Sequence, residues 1–315
     1  EKSVLLSLRK SDATILNYFE ITGKTMPRIL ATSDLHYNIP RSKPAVEELA
    51  EKVNRRGGDV LIIAGDIAGS DEDEFCRGLE LFAPFKGKKL FVAGNHDLWV
   101  NDGRSSSYKW TNTLRELGAK YDFHMLDHQP AVVEDVGFAG NIGWYDYSFE
   151  LKSLNVPKRF YQAKAGPGRA AATSQLKHLL DQSDDLDEEH YEITSLWQDA
   201  MNVSITASDP EFTRQLAEMV KGQLTGLRTQ VEKIAVVFHH LPKRELVWYR
   251  GDPAWDFAAA FLGSDLLGST IEQFPEVKLC LCGHNHRADS LKEGQIEYIV
   301  IGSTYKDKVL IERDL

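Results

Sequence analysis

Five short apolar runs along the chain each end in side chains that can bind metal ions. The runs are 29–32, 60–64, 90–93, 234–238 and 277–282, and each has the length of a buried strand. Carboxylates, imidazoles or an amide follow each run, either at once or after a single glycine or serine. Burying such groups without partners costs several kcal/mol. They are therefore either on the surface by accident or gathered around something that satisfies them.

The segments between the first three runs have helical spacing. Apolar residues recur at helical intervals in 45–54, and 71–82 begins with the acidic residues that a helix N-terminus favours. A strand–helix–strand–helix–strand order predicts right-handed crossovers and parallel strands. A hairpin predicted over 131–139, with its turn at 134–135, adds antiparallel pairing. The sequence therefore predicts an α/β fold with a mixed sheet.

The middle of the chain interrupts this pattern. A glycine–proline breaker at 166–168 and an acidic run at 181–189 precede helical spacing at 189–201 and 209–227. We interpret about 145–232 as a helical insertion that lies over the sheet edges.

The first residues of the sequence differ from the regular pattern that begins near position 28. We expect one domain over 26–315 that includes the insertion, and an N-terminal extension over 1–25. The extension is either an extra edge hairpin or partly a remnant outside the fold.

Composition narrows the class of protein. The 315 residues are 42% apolar and 27% charged, with a net charge of −10, which is typical of a soluble globular protein and disfavours sequence-independent nucleic-acid binding. No apolar run approaches the roughly 20 residues that span a bilayer, and the first residues lack a signal-peptide pattern. Two of the three cysteines, Cys280 and Cys282, lie in an apolar run, which favours buried, reduced thiols. We therefore expect a cytoplasmic protein that does not bind membranes.

The types of ligand indicate the metal. Oxygen and imidazole ligands without thiolate favour Mn, Fe or Zn. A thiolate zinc site at Cys280 and Cys282 is disfavoured because no second cysteine pair exists. A carboxylate between two groups of ligands can bridge two ions about 3.5–4 Å apart, which is the arrangement that catalyses displacement at phosphorus.

The complete set of strand-end motifs resembles the signature of the calcineurin-like metallophosphoesterases over about 28–312. The matching segments are Asp34-Leu35-His36, Gly65-Asp66, Gly94-Asn95-His96-Asp97, His239 and Gly283-His284-Asn285-His286. The resemblance implies a four-layer α/β/β/α sandwich with two mixed β-sheets. It also implies two divalent metal ions (Mn, Fe or Zn).

The resemblance implies a role for each motif residue. The first metal would be held by Asp34, His36 and His286, the second by Asn95, His239 and His284, and Asp66 would bridge both. A metal-bridging hydroxide would attack phosphorus. His96 would be the general acid to the leaving alkoxide, oriented by Asp97 as its carboxylate partner. His240 would either support the ligands from behind or only cap the loop.

Departures from the signature narrow the subfamily. Gly65-Asp66 is followed by Ile67-Ala68-Gly69-Ser70, and position 97 is Asp where the Ser/Thr protein phosphatases have Glu. The chain looks more like bacterial phosphodiesterase-type members. We expect a phosphoesterase that hydrolyses small phosphodiesters, phosphomonoesters or both. The alternatives are a nuclease of the same superfamily and a non-catalytic metal-binding scaffold, the latter expected to lack ligands that this chain retains.

Substrate contacts must come from residues outside the signature. Trp144 and Tyr145 could stack on an aromatic leaving group or only pack the insertion onto the sheet. Arg244 and Arg250 follow the histidine pair and could contact a phosphate. His240 completes this set of candidate substrate-binding residues.

Overall fold

The computed structural model describes residues 26–101 and 103–315 and contains two β-sheets. The extension predicted over 1–25 lies outside the described residues. In the first sheet the strand order is β11-β1-β2-β3-β4. Strands β1 to β4 pair in parallel, and β11 pairs antiparallel with β1. Their bounds are β1 Arg28–Thr32, β2 Val60–Ala64, β3 Lys88–Val92, β4 Phe123–Met125 and β11 Ile311–Asp314.

The second sheet has the strand order β5-β6-β7-β8-β10-β9. Strands β6, β7, β8 and β10 pair in parallel, and β5 and β9 close the two edges as antiparallel hairpin partners. Their bounds are β5 Ala131–Val133, β6 Val136–Asn141, β7 Lys233–Phe238, β8 Val277–Cys282, β9 Asp289–Glu293 and β10 Ile296–Val300. The hairpin predicted over 131–139 is confirmed, and both sheets are mixed.

Alternation along the strands produces four layers, because successive side chains face opposite sides of a sheet. In β2, Val60 and Ile62 pack against the second sheet, whereas Leu61 and Ile63 pack against helices α1 (Lys43–Arg56) and α2 (Glu72–Glu80). In β7, Val236 faces helices on the opposite side of the molecule. The α/β/β/α sandwich implied by the resemblance is therefore confirmed.

The helices after β3 are irregular. Short helices α3 (Ser106–Tyr108) and α4 (Leu114–Ala119) flank a π-helical stretch, Lys109–Thr113. Helices α9 (Pro253–Ala258) and α10 (Asp265–Ile271) lie between β7 and β8. None of the helices in the described part of the chain is both long enough and apolar enough to cross a membrane.

The inserted region contains one long helix and much irregular chain. Helix α8, Asp209–Leu227, packs against the second sheet and starts at a Ser208 capping box. The helix predicted over 189–201 is wrong: a 3₁₀ turn at Glu188–Glu192 is followed by a bridge between Leu196 and Ala165, and then by α7, Asp199–Asn202. Short helices α5 (Lys158–Gln162) and α6 (Pro167–Ala172) precede it.

Candidate metal centre

The carboxyl ends of the central strands bring the predicted ligands together at one end of the two sheets. Five of these residues have left-handed backbone conformations, with φ between 45° and 74°: Asp34, His36, Asp66, His284 and His286. Non-glycine residues adopt this region at a cost of order 1–3 kcal/mol each, and such strain concentrates at functional sites. The loops are therefore shaped to aim these side chains rather than to minimise local backbone energy.

The first group of ligand atoms comes from the loops after β1 and β8. His36 Nε2 lies 3.2 Å from His286 Nε2, and His286 Nε2 lies 3.5 Å from Asp34 Oδ1. The Asp34 carboxylate also accepts hydrogen bonds from the backbone N–H of His284 and from the Ser33 hydroxyl. These contacts fix the carboxylate with one oxygen facing the two imidazoles.

The second group comes from the loops after β2, β3, β7 and β8. His239 Nε2 lies 3.4 Å from Asp66 Oδ2, 3.3 Å from Asn95 Oδ1 and 3.1 Å from His284 Nδ1. His239 Nδ1 is hydrogen-bonded to the Ala64 carbonyl at 2.9 Å. This bond places a proton on Nδ1 and leaves Nε2 free to bind a cation.

Asp66 lies between the two groups. Its Oδ2 is 3.6 Å from His36 Nε2 in the first group and 3.4 Å from His239 Nε2 in the second. Ligand atoms bound about 2.0–2.2 Å from one ion lie about 2.8–3.6 Å apart, so both groups have the spacing of a coordination shell. The donor set therefore fits divalent ions, although the assignment of each ligand to an ion stays a prediction.

The charges of the two ligand groups balance through Asp66 and His239. Burial alone would raise the pKa of Asp66, but the imidazoles of His239, His96 and His36 outweigh this effect and hold the pKa well below its usual range. Burial opposes protonation of His239, yet the carboxylates of Asp66 and Asp34 raise its pKa to about 9. A cation that replaces this proton would leave the same buried pair neutralised.

Gly94 allows the closest approach between two of the loops. A Cβ atom at position 94 would lie 2.0 Å from Asp66 Oδ1 and 2.3 Å from the Asp66 backbone nitrogen. Only glycine therefore lets the loop after β3 pass beside the Asp66 carboxylate. The strand-end glycine is required by packing against the site.

His96 lies at the edge of the site with its ring toward the cleft. Its Nε2 is 4.0 Å from Asp66 Oδ2, and its ring stacks on Trp99 at 3.8 Å between centroids. The backbone N–H of His96 donates to Asp66 Oδ1 at 3.0 Å. His96 is thus held beside the Asp66 carboxylate and borders the cleft.

The predicted pairing of Asp97 with His96 is wrong. The Asp97 carboxylate is fully buried and accepts hydrogen bonds from the backbone N–H groups of Ile67, Ala68 and Gly94. Burial, together with the charge of Asp66, raises its pKa to about 6. Asp97 ties the loop after β2 to the loop after β3, so it shapes the site without contacting the imidazole of His96.

His240 faces the protein interior. Its Nδ1 is hydrogen-bonded to the Ile142 carbonyl at 3.1 Å, and its ring lies 4.2 Å from that of His284 between centroids. Burial, and to a lesser extent the neighbouring His239, lowers the pKa of His240 to about 3. The prediction that His240 contacts substrate is therefore wrong. Its ring packs behind His284, which is a predicted metal ligand.

A cleft of about 860 Å³ opens over the ligand groups. Asp66, Asn95, His96, His284 and His286 form its floor. Five aromatic side chains also line it: Trp99, Trp197, Trp248, Trp255 and Tyr305.

Of the four candidate substrate-binding residues other than His240, only Arg250 lines this cleft. Its guanidinium carbon lies 3.4 Å from the ring centre of Trp255 and 4.4 Å from that of Trp248. The other three predictions are wrong. Trp144 and Tyr145 are buried and bond to carboxylates of the insertion, and Arg244 bonds to the Glu150 carbonyl.

Sequence reasoning missed Asp199. This buried residue of the insertion accepts a hydrogen bond from Asn95 Nδ2 at 2.9 Å and one from Trp99 Nε1 at 2.7 Å. Asp199 lies 104 positions from Asn95, at the first residue of the one-turn helix α7. No periodic pattern in the sequence marks such a contact.

The comparisons with known proteins agree with the fold. The family model described as calcineurin-like phosphoesterase matches residues 27–288. The chain belongs to this family.

Individual relatives give a narrower picture. The chain is 32% identical over 139 residues to [acyl-carrier-protein] phosphodiesterase PptH of Mycobacterium tuberculosis, a match that spans 41% of each chain. The crystal structure of phosphopantetheinyl hydrolase (PptH) from Mycobacterium tuberculosis superposes with a TM-score of 0.63 and 17% identity over 90% of this chain and 91% of that one. A dimetal phosphatase from Danio rerio gives a TM-score of 0.51 at 13% identity over 93% of both chains. At sequence identities this low, the structural similarity shows a shared fold and no more.

Proposed function

We propose that the protein is a dinuclear metal-dependent phosphodiesterase. The position of Asp66 Oδ2 carries this proposal, since one carboxylate oxygen lies 3.6 Å from His36 Nε2 and 3.4 Å from His239 Nε2. A single carboxylate between two sets of imidazole ligands is the arrangement that holds two ions. When bound, the ions would polarise the phosphoryl oxygens and activate water as the nucleophile. The donor set favours Mn, Fe or Zn.

The side chains of this protein would position the substrate and move the proton. Asn95 lines the cleft beside His239, and its Oδ1 would help to hold an ion there. His96 would donate a proton to the leaving alkoxide, since its ring borders the cleft next to Asp66. Stacking on Trp99 keeps the His96 ring in one plane during this transfer.

The part of the cleft lined by Trp248, Arg250 and Trp255 suits an organic group attached to the phosphate of the substrate. Trp248 and Trp255 form an apolar wall, and Arg250 stacks on both. Stacking covers the guanidinium faces and leaves its N–H edge to bind an anionic or carbonyl oxygen. The names of the relatives point to a phosphopantetheine group attached to an acyl carrier protein, and we propose this diester as the substrate class to test first.

A substrate panel tests the proposal. Metal-free protein restored with Mn²⁺ is expected to hydrolyse bis-p-nitrophenyl phosphate and to release phosphopantetheine from a phosphopantetheinylated carrier protein, with p-nitrophenyl phosphate as the monoester comparison. Asp66→Ala is expected to lose all these activities. His96→Ala is expected to lose most rate on the carrier protein, whose leaving alcohol needs a proton, and less on the p-nitrophenyl diester.

Three results would count against this function. Hydrolysis that survives complete metal removal would exclude the dinuclear mechanism. A monoester rate above both diester rates would exclude the diester preference. Equal losses for His96→Ala on good and poor leaving groups would exclude its role as the acid.

A further inference from the structure

Asp199 collects four hydrogen bonds at the boundary between the insertion and the metal centre. Its Oδ1 accepts from Asn95 Nδ2 at 2.9 Å and from Trp99 Nε1 at 2.7 Å. Its Oδ2 accepts from Trp197 Nε1 at 2.8 Å and from the Tyr145 hydroxyl at 3.0 Å. The side chain is 2% exposed. All four neighbours are hydrogen-bond donors. A carboxylate satisfies them because both of its oxygens accept, whereas an amide would place a donor at one end.

The bond to Asn95 determines which end of its amide faces the ligands. Because Nδ2 donates to Asp199, Oδ1 points the other way and lies 3.3 Å from His239 Nε2. An amide oxygen can bind a cation, whereas an amide NH₂ group repels one. Asp199 therefore keeps the metal-binding end of Asn95 in the second ligand group.

The same carboxylate holds two indoles against the site. Trp99 stacks on His96 with ring centroids 3.8 Å apart, and Trp197 packs edge-on against His284 at 5.6 Å. Both indole N–H groups end on Asp199. One buried carboxylate thus fixes a candidate ligand and the neighbours of two further site residues.

We propose that Asp199 is a positioning residue through which the insertion completes the second metal site. This inference rests on the proposed dinuclear function. The insertion is then part of the catalytic unit, because it supplies the only group seen in the described residues to accept from Asn95 Nδ2.

Asp199→Asn changes one acceptor into a donor without changing the size of the side chain. If the new NH₂ group faces Asn95 and Trp99, Asn95 relieves the clash by turning its own oxygen toward position 199. Its NH₂ group then faces the ligands. If the new NH₂ group faces Trp197 instead, the indole N–H loses its acceptor and the support for His284 weakens. Either arrangement lowers the affinity of the second metal site.

Asp209→Asn is the matched control. Asp209 is another carboxylate of the insertion, and it accepts from Trp144 Nε1 at 2.8 Å, from the Tyr147 hydroxyl at 2.5 Å and from Lys164 Nζ at 2.5 Å. None of these partners belongs to the ligand groups. The control therefore removes a comparable set of bonds from the insertion without touching Asn95.

The test is Mn²⁺ binding to the metal-free chains, measured by titration calorimetry, with thermal unfolding measured on the same samples. Asp199→Asn is expected to weaken one of two binding events roughly 10–100-fold, the usual effect of losing a group that orients a metal ligand. Asp209→Asn is expected to keep the wild-type affinity for both Mn²⁺ ions, even if its melting temperature falls as far as that of Asp199→Asn. Tyr145→Phe, which removes one donor on the Oδ2 side, is expected to retain Asn95 and to weaken binding much less than Asp199→Asn.

Two outcomes would overturn the role of Asp199. Wild-type affinities in Asp199→Asn would show that Asn95 does not depend on it. Equal weakening in Asp209→Asn would show a general effect of a loosened insertion. Failure of the proposed function is distinguishable, since the wild type would then bind Mn²⁺ as described without hydrolysing any phosphodiester.

Discussion

His240 shows how burial sets the charge of a single side chain. It lies inside the molecule between the imidazole of His284 and the aromatic rings of Trp144 and Tyr145. Burial, followed by repulsion from His239, lowers its pKa to about 3, against 6.5 for an exposed histidine. The folded protein therefore keeps His240 neutral at pH values where the unfolded chain protonates it.

His240 makes the folded state sensitive to acid. Because its folded pKa is lowered, its contribution to stability is complete above pH 6.5 and is lost as the pH falls from 6.5 toward 3. His240→Asn retains a donor for the Ile142 carbonyl but cannot titrate. In metal-free protein, wild type is expected to lose about 1.4 kcal/mol more unfolding free energy than the variant between pH 7.5 and 5.5. Urea unfolding at both pH values measures this difference.

The difference between wild type and His240→Asn reports the protonation of His240 alone, because both proteins contain the other buried histidines. An unchanged free-energy gap between wild type and variant at the two pH values would show that His240 is protonated in the folded state.

Residue-scale predictions succeeded where backbone position decided the outcome. Asp34 and Asp66 follow the neighbouring parallel strands β1 and β2, each after one intervening residue, and parallel strand ends in one sheet meet at the same edge. Side-chain direction was harder to predict. Asp97 is adjacent to His96 but turns toward three backbone N–H groups, and Trp144 follows β6 closely but turns into the core. In an irregular turn, the side chains of neighbouring residues do not point in directions that the sequence spacing predicts.

At the scale of elements, the junction after β3 depends on a glycine that touches the Asp66 carboxylate. Gly94→Ala would place a Cβ 2.0 Å from Asp66 Oδ1, so either the carboxylate or the loop must move. We expect about 1–3 kcal/mol of destabilisation from overpacking and the loss of Mn²⁺ binding. Urea unfolding and metal analysis after dialysis measure the two effects.

Gly222→Ala in α8 serves as the control for this substitution. A Cβ at position 222 would meet no atom within 4 Å. The added methyl group is expected to stabilise the helix by about 0.5–1 kcal/mol and to leave metal binding unchanged. Full metal occupancy in Gly94→Ala would refute the close approach to Asp66.

Helices and strands were predicted correctly where the apolar residues of a segment recur regularly and the segment folds by that pattern. The hairpin over 131–139 and the helix over 209–227 were predictable because their apolar residues recur with a clear period. The segment 189–201 has similar spacing but folds as a 3₁₀ turn and a bridge. Its conformation is set by contacts with the sheet ends, including the bonds of Asp199, and tertiary contacts override local propensity.

At the scale of the whole molecule, the insertion and the two sheets contribute to one cleft. The strands supply the ligand groups, and the insertion supplies Asp199 and Trp197. The negative net charge of −10 and the apolar cleft walls suit a substrate with a single reacting phosphate better than a long polyanion. The proposal of one domain over 26–315, with the insertion as part of it, follows from this shared site.

The central claim is that two ions, bridged by Asp66, make this chain a phosphodiesterase. Titration of metal-free protein with Mn²⁺, followed by hydrolysis of bis-p-nitrophenyl phosphate, tests it most directly. We predict that activity rises until two equivalents per chain are bound and that Asp66→Ala stays inactive throughout. Full activity at one equivalent, or activity that does not depend on added metal, would contradict the claim.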